Sequence, residues 1–132
     1  MPLHAGLAAT VSITVGDADT ATALGSGEVS VLGTPRVLAL AEEASVKAVA
    51  HALDEEHTTV GAGVQLDHLA PTPVGMKVEA EATLAKVEGR RLIFVVRVTD
   101  ERGLVAAGKI TRAIVHRERF LQKAGSPEGR AV

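Results

Sequence analysis

Glu42 is a carboxylate placed where a helix would otherwise bury hydrocarbon, and a charge there is costly unless something uses it. From Thr34 to about Asp54 the chain reads TPRVLALAEEASVKAVAHALD. At about 100° per residue, Glu43, Lys47, His51 and Asp54 fall within about 80° of one another and form the wet face. Leu38, Ala41, Val49 and Leu53 occupy the remaining arc, and Glu42 projects about 20° from Val49 and Leu53. A second group is aimed at the same layer. His68 ends a segment in which Val60, Ala62, Val64 and Leu66 alternate with Gly61, Gly63, Gln65 and Asp67, so the imidazole is expected on the strand face turned toward the helix. A carboxylate and an imidazole converging in an apolar layer suit proton-transfer chemistry. Each also has a structural reading, His68 as a hydrogen-bonded strand-end residue and Glu42 as an inert charge. Their convergence favours a site.

Thr34 precedes Pro35 at the start of the helical pattern, where the hydroxyl can cap free amides and proline suits the first helical position. A catalytic Thr34 meets a geometric constraint, because eight helical residues separate it from Glu42 by about 12 Å. Either Thr34 precedes the helix in a folded-back loop, or two subunits build one site. The free amides of that helix end would also suit a developing oxyanion.

The elements that must position these residues follow from periodicity. Ala9, Val11, Ile13 and Val15 alternate with Thr10, Ser12 and Thr14, a half-buried strand, and residues 16–27 are expected as a loop. After the helix the period is two. The APTPVG run (70–75) must turn. Met76, Val78, Ala80, Ala82 and Leu84 make the clearest strand, Glu88 to Arg90 a tight reversal, and Leu92, Phe94, Val96 and Val98 another inward row. Residues 100–103 turn, a last strand runs from Leu104 to about Arg119, and the tail (124–132) is expected to be loose. One strand, one long helix and four closely connected strands give an α+β domain over 1–123, an antiparallel sheet curled around a single central helix. This layout is the hot-dog fold. Such a sheet leaves edges and an uncovered helix flank, so a homodimer is expected, with a monomeric roll as the rival.

Composition narrows the function classes. The chain has 132 residues, 46% hydrophobic and 23% charged, with 14 basic and 16 acidic residues for a net charge of -2. That balance, with no long basic run, argues against nucleic-acid binding. No cysteine occurs, which excludes disulfides, thiolate metal sites and a cysteine nucleophile. The histidines at 4, 51, 57, 68 and 116 include no i, i+4 pair of a helical zinc site, and no metal is expected. The amino terminus lacks a basic start and a long apolar core, and no stretch approaches the ~20 apolar residues that span a bilayer. The expectation is a soluble, cytoplasmic protein without membrane contact.

The segment VLGTPRVLALAEEA, the run DHLAPTPVG, the turn VEGRRL and the ending TRAIVHRERF resemble, in that order and spacing, the fluoroacetyl-CoA thioesterase family of hot-dog proteins. The similarity covers about residues 28 to 120. In that family a threonine at the start of the central helix, a glutamate eight residues on and a histidine ahead of the A-x-T-P-x-G turn form the catalytic set. The resemblance carries those roles to Thr34, Glu42 and His68. Family members selective for the fluorinated acyl group have phenylalanines just before the threonine. Here residues 28–33 read EVSVLG, which points to another small acyl group, and an aromatic gate would have to use Phe94 or Phe120.

The resemblance implies hydrolysis of an acyl-CoA thioester, with coenzyme A as part of the substrate and no separate cofactor. His68 is expected as general base or proton shuttle. Glu42 either activates water or attacks the carbonyl to give a short-lived anhydride, and Thr34 orients the carbonyl or relays a proton. Arg36, Arg90, Arg91, Arg112, Arg117 and Arg119 are candidates to meet the phosphates, although most such arginines are ordinary solvated charges. A hot-dog hydratase or dehydratase is one alternative, with Asp67 beside His68 as its acid/base pair, but successive strand residues face opposite sides. A non-catalytic acyl-CoA binder or sensor is the other.

Overall fold

The computed structural model describes residues 2–127. Five antiparallel strands form one sheet in the order β1-β3-β4-β5-β2, comprising β1 (Ala8–Thr14), β2 (His57–His68), β3 (Lys77–Glu88), β4 (Arg91–Asp100) and β5 (Gly103–His116). Helix α1 (Ala21–Leu24) precedes the long helix α2 (Thr34–Val49), and α3 (Arg117–Ala124) follows β5. The α+β hot-dog arrangement expected from periodicity is present, with α2 lying on the concave face. Val37, Leu40, Ala41 and Ala44 of the helix pack with Val78, Ala80, Ala82, Leu84, Leu92, Phe94, Val96, Val98 and Ile110 of the sheet. At roughly 1.5–3 kcal/mol for each large side chain removed from water, this row outweighs any single polar contact on the helix. It fixes which face of α2 looks inward.

Several expectations need correction. The helix is not alone, because residues 16–27 contain α1, capped where the Thr20 hydroxyl accepts from the Ala23 amide at 3.2 Å and closed by Gly25 at φ 70°. The central helix stops at Val49 and is followed by a 3-10 turn (Ala50–Ala52), so Leu53 no longer lies on the same helical wheel. The last strand ends at His116, where α3 begins with Arg117, and α3 extends through Ala124 into the segment expected to be loose. Residues 128–132 of that segment lie outside the described residues. Phe94 is fully buried beneath the helix and cannot serve as a gate.

The most consequential difference is in β2. Gly61 pairs with Arg112 but Gly63 pairs with Thr111, so Ala62 is an extra residue in the ladder. A bulge of this kind reverses the alternation beyond it. Paired residues share a side of the sheet, so Thr59 and Gly61 lie on the helix side with Ile114 and Arg112, and Val64 and His68 lie there with Ile110 and Ala106. Val60, opposite Ala113, faces away. The uninterrupted row from Val60 to His68 does not exist, although its His68 end points as expected.

Candidate active site

Thr34 and His68 meet directly. Thr34 Oγ1 and His68 Nδ1 are 2.8 Å apart, with the proton on whichever partner the tautomer assigns. The pair is possible because Thr34 is not the cap of α2. Gly33 is the N-cap, Thr34 is the first helical residue and Pro35 the second, so the threonine hydroxyl is released from the capping role and turned toward the imidazole. Gly33 allows a close approach there, since a Cβ would lie 3.0 Å from the Ala21 backbone. Its amide donates to Asp19 O at 2.9 Å.

His68 is held from the other side. The Leu69 and Ala70 amides both donate to Val105 O, at 2.7 and 3.2 Å, at the point where the β4–β5 register shifts past Val105. The far nitrogen of the ring, Nε2, is buried and has no hydrogen-bond partner among the described residues. A buried polar atom left unpaired costs about 1–3 kcal/mol, which is the condition of a group reserved for a ligand or a proton.

Glu42 is elsewhere. Val37, Leu40, Ala41, Ala44 and Ser45, all fully buried, lie within about 80° of Val37 around the helix, whereas Glu42 lies about 140° from it, nearest to Val49 of the last turn. The Glu42 side chain is 37% exposed, so the buried acid expected on the sheet-facing part of the helix is instead a carboxylate on the flank of α2, beside Ala39 and the exposed Val46. There Oε2 accepts from Arg112 Nη1 at 3.1 Å. Arg112 is 7% exposed; it also donates from Nε to Thr59 Oγ1 and from Nη2 to Thr59 O, each at 2.9 Å. Burial lowers the pKa of Arg112, and the charge and hydrogen bond of Glu42 oppose that shift. Gly61 lies under the carboxylate, where a Cβ would come 2.7 Å from Oε2. Val11, Ala39, Glu42, Val46 and Arg112 line an open cleft of 460 Å³.

Two distances keep Glu42 from the Thr34–His68 pair of its own chain. Along α2 the separation from Thr34 is about 12 Å, and along β2 the seven residues from Gly61 to His68 span roughly 20 Å after allowing for the bulge. Because Thr34 begins a continuous helix, the folded-back loop is excluded. Asp67 pairs with Ala107 while His68 pairs with Ala106, so these neighbours face opposite sides and the hydratase pair does not form.

Thr59 was missed by sequence reasoning, and Arg112 was considered only for the phosphates and not as the partner of Glu42. The signal was present, because in KITRAIVHR an arginine takes the middle place between Ile110 and Ile114, the position of an inward charge. Among the arginines considered for phosphate, Arg112 is committed to Glu42, Arg36 pairs with Asp19 at 2.9 Å, and Arg117 Nε donates to Glu55 O.

The sequence profile of the family described as FlK, fluoroacetyl-CoA-specific thioesterase, matches residues 15–118. The fluoroacetyl-CoA thioesterase of Streptantibioticus cattleyicolor is 36% identical over 93 residues, spanning 70% of this chain and 67% of that protein. Among solved structures, fluoroacetyl-CoA thioesterase FlK superposes with a TM-score of 0.89 at 29% identity, over 95% of this chain and 97% of that one. A variant of FlK in complex with fluoroacetate and CoA gives 0.84 at 30% identity, over 89% and 99%. A hot-dog-like protein from Thermanaerovibrio acidaminovorans, 24% identical, shares the fold with a TM-score of 0.83 over 92% of this chain and 90% of that one.

Proposed function

The chain belongs to the fluoroacetyl-CoA thioesterase family, and on that premise we propose how it hydrolyses a small acyl-CoA thioester: Thr34 and His68 of one copy act with Glu42 of a second. The carrying observation is the Thr34–His68 hydrogen bond of 2.8 Å combined with a carboxylate too distant to reach it within the same chain.

Strand β2 supports the second copy. It is an edge strand, its residues from Gly61 to Gln65 are exposed on both faces, and Val64 is 45% exposed. An edge of this kind is a template for pairing. Antiparallel pairing of two β2 strands about a two-fold axis at Gln65 sets Gly63 opposite Asp67 of the second copy and, with Ala62 passed over as it is against β5, Gly61 opposite His68, each pair sharing a side of the sheet. Glu42 lies over Gly61. The same register that covers the exposed edge therefore carries the carboxylate to the imidazole, and does so twice per dimer.

The chemistry then divides among the groups. The thioester carbonyl oxygen is received at the positive end of α2, where the Thr34 amide and hydroxyl stand. Arg112 donates to one oxygen of Glu42, leaving the other for water or for the carbonyl carbon. His68 moves the proton: it accepts one as the attack proceeds and returns it to the departing sulfur, so that water and thioester become acid and thiol. No metal or redox group enters this balance. Coenzyme A takes part as substrate, and the protein is read as a homodimer acting in the cytoplasm. The acyl group is read as small and other than fluoroacetyl, in keeping with the EVSVLG stretch before Thr34.

Thiol release from acetyl-, fluoroacetyl-, propionyl- and longer acyl-CoAs tests the reading. Turnover is expected on a small acyl group and is expected to fall about a hundredfold or more in folded Glu42→Ala and His68→Ala. Acyl-CoA binding without thiol release from the whole panel would instead identify a sensor.

A further inference from the structure

Between the two halves of the Thr34–His68 pair lies a residue that touches neither. Thr72, in the turn after β2, is fully buried. Its carbonyl accepts from the Leu32 amide at 2.9 Å, two residues before Thr34, and Val31 forms a bridge with Pro73. Four residues upstream along the chain is His68. Thr72 therefore links the segment that delivers the threonine to the segment that delivers the imidazole.

The turn is tied down through the side chain of Thr72. Its hydroxyl donates to Asp100 Oδ2 at 2.8 Å. The Asp100 side chain is 3% exposed, and its other oxygen accepts from the Arg102 amide at 2.8 Å. The Arg102 guanidinium approaches Asp100 Oδ2 at 3.5 Å and donates to Pro71 O as well. Burial by itself would raise the Asp100 carboxyl, but the Arg102 amide, the Thr72 hydroxyl and the Arg102 charge outweigh it and hold the group below the usual carboxylate value. A polar network this well satisfied rigidifies what it holds. What it holds is the turn that follows His68 and, through the Leu32 amide, the segment that leads into Thr34.

We propose that Thr72 and Asp100, braced by Arg102, are positioning residues that set the Thr34–His68 hydrogen bond. The proposal rests on the catalytic reading of that pair. The clamp acts at a distance from substrate, so its loss loosens the geometry of the chemical step and leaves substrate affinity alone. A misplacement of the order of 1 Å at a reacting group costs up to about a hundredfold in rate.

Thr72→Val keeps the shape of the side chain and removes the hydroxyl. In the folded dimer it is expected to lower kcat by about tenfold or more while KM stays within about twofold. The Nδ1 nitrogen NMR resonance of His68, assigned by its absence in His68→Gln, is expected to move. Thr72→Ser, which retains the hydroxyl, is expected to restore both. Should Thr72→Val fail to fold, Arg102→Gln decides, since that side chain is exposed: a smaller fall in kcat with unchanged KM and a shifted His68 resonance is expected. Wild-type kcat together with an unmoved resonance, in whichever of the two variants folds, overturns the proposal. Full activity in His68→Gln and Thr34→Ala would overturn the catalytic reading instead, and the resonance would still decide the clamp.

Discussion

If Glu42 acts on the Thr34–His68 pair of a second copy, two inactive variants should repair each other. The perturbation is to unfold Glu42→Ala and His68→Ala together and refold them as an equal mixture. Its size comes from the geometry. Glu42 lies over Gly61, and roughly 20 Å of strand and about 12 Å of helix separate it from the pair in its own chain, so each site must draw its carboxylate and its imidazole from different copies. In a mixed dimer one site receives both substitutions and the other receives neither. Random reassociation makes half of the dimers mixed, and each mixed dimer has one intact site of two, so thiol release should return to about a quarter of the wild-type rate. A site contained in one chain gives a different answer, because every chain in the mixture is then defective. The assay is thiol release before and after refolding, with native mass spectrometry to count mixed dimers. Mixed dimers present in the expected proportion, but with activity no higher than either parent, would falsify the shared site.

Two further substitutions probe the same architecture. Gly61→Ala inserts a Cβ 2.7 Å from Glu42 Oε2; the clash is with the end of a flexible side chain, so the thermal midpoint should change little while kcat falls about tenfold to a hundredfold through displacement of the carboxylate, and an unchanged kcat would argue against Glu42 as a participant. Asp100 titrates below its ordinary value in the folded chain, so its contribution to stability is present in full above the unfolded value of about 3.9 and is lost as pH falls through the lower folded value. Asp100→Asn should therefore lower the denaturant midpoint at neutral pH, with the gap from wild type narrowing below about pH 4. A gap of constant size through the acid range would contradict the ionised clamp.

Much of the fold was legible in the chain because its elements repeat cleanly. Alternation in MKVEAEATL and in RLIFVVRVT specifies two central strands, since a shift of one residue would expose Val78, Val96 and Val98, all buried. The wet face of α2 was equally plain, and Glu43, Lys47, His51 and Asp54 are all exposed. Thr34, Glu42 and His68 were each singled out from the residues or from the resemblance. The short helix α1 was not, because four residues carry too little periodicity to register. Helix α3 was hidden because RERF continues the strand of β5 without punctuation.

Local pattern thus determined which residues lie on which element, and the chemistry those residue types can perform. Only the tertiary structure decided how they meet. The bulge at Ala62 reverses the face of β2, and it is invisible in a sequence whose apolar residues alternate straight through it. The partner of Glu42 lies seventy residues away on strand β5, and the Thr72–Asp100 clamp joins a turn to the far end of β4. Periodicity reports each side chain relative to its own backbone. Which atoms come within hydrogen-bonding distance depends on how separate elements close on one another, and that is set by packing of the whole core.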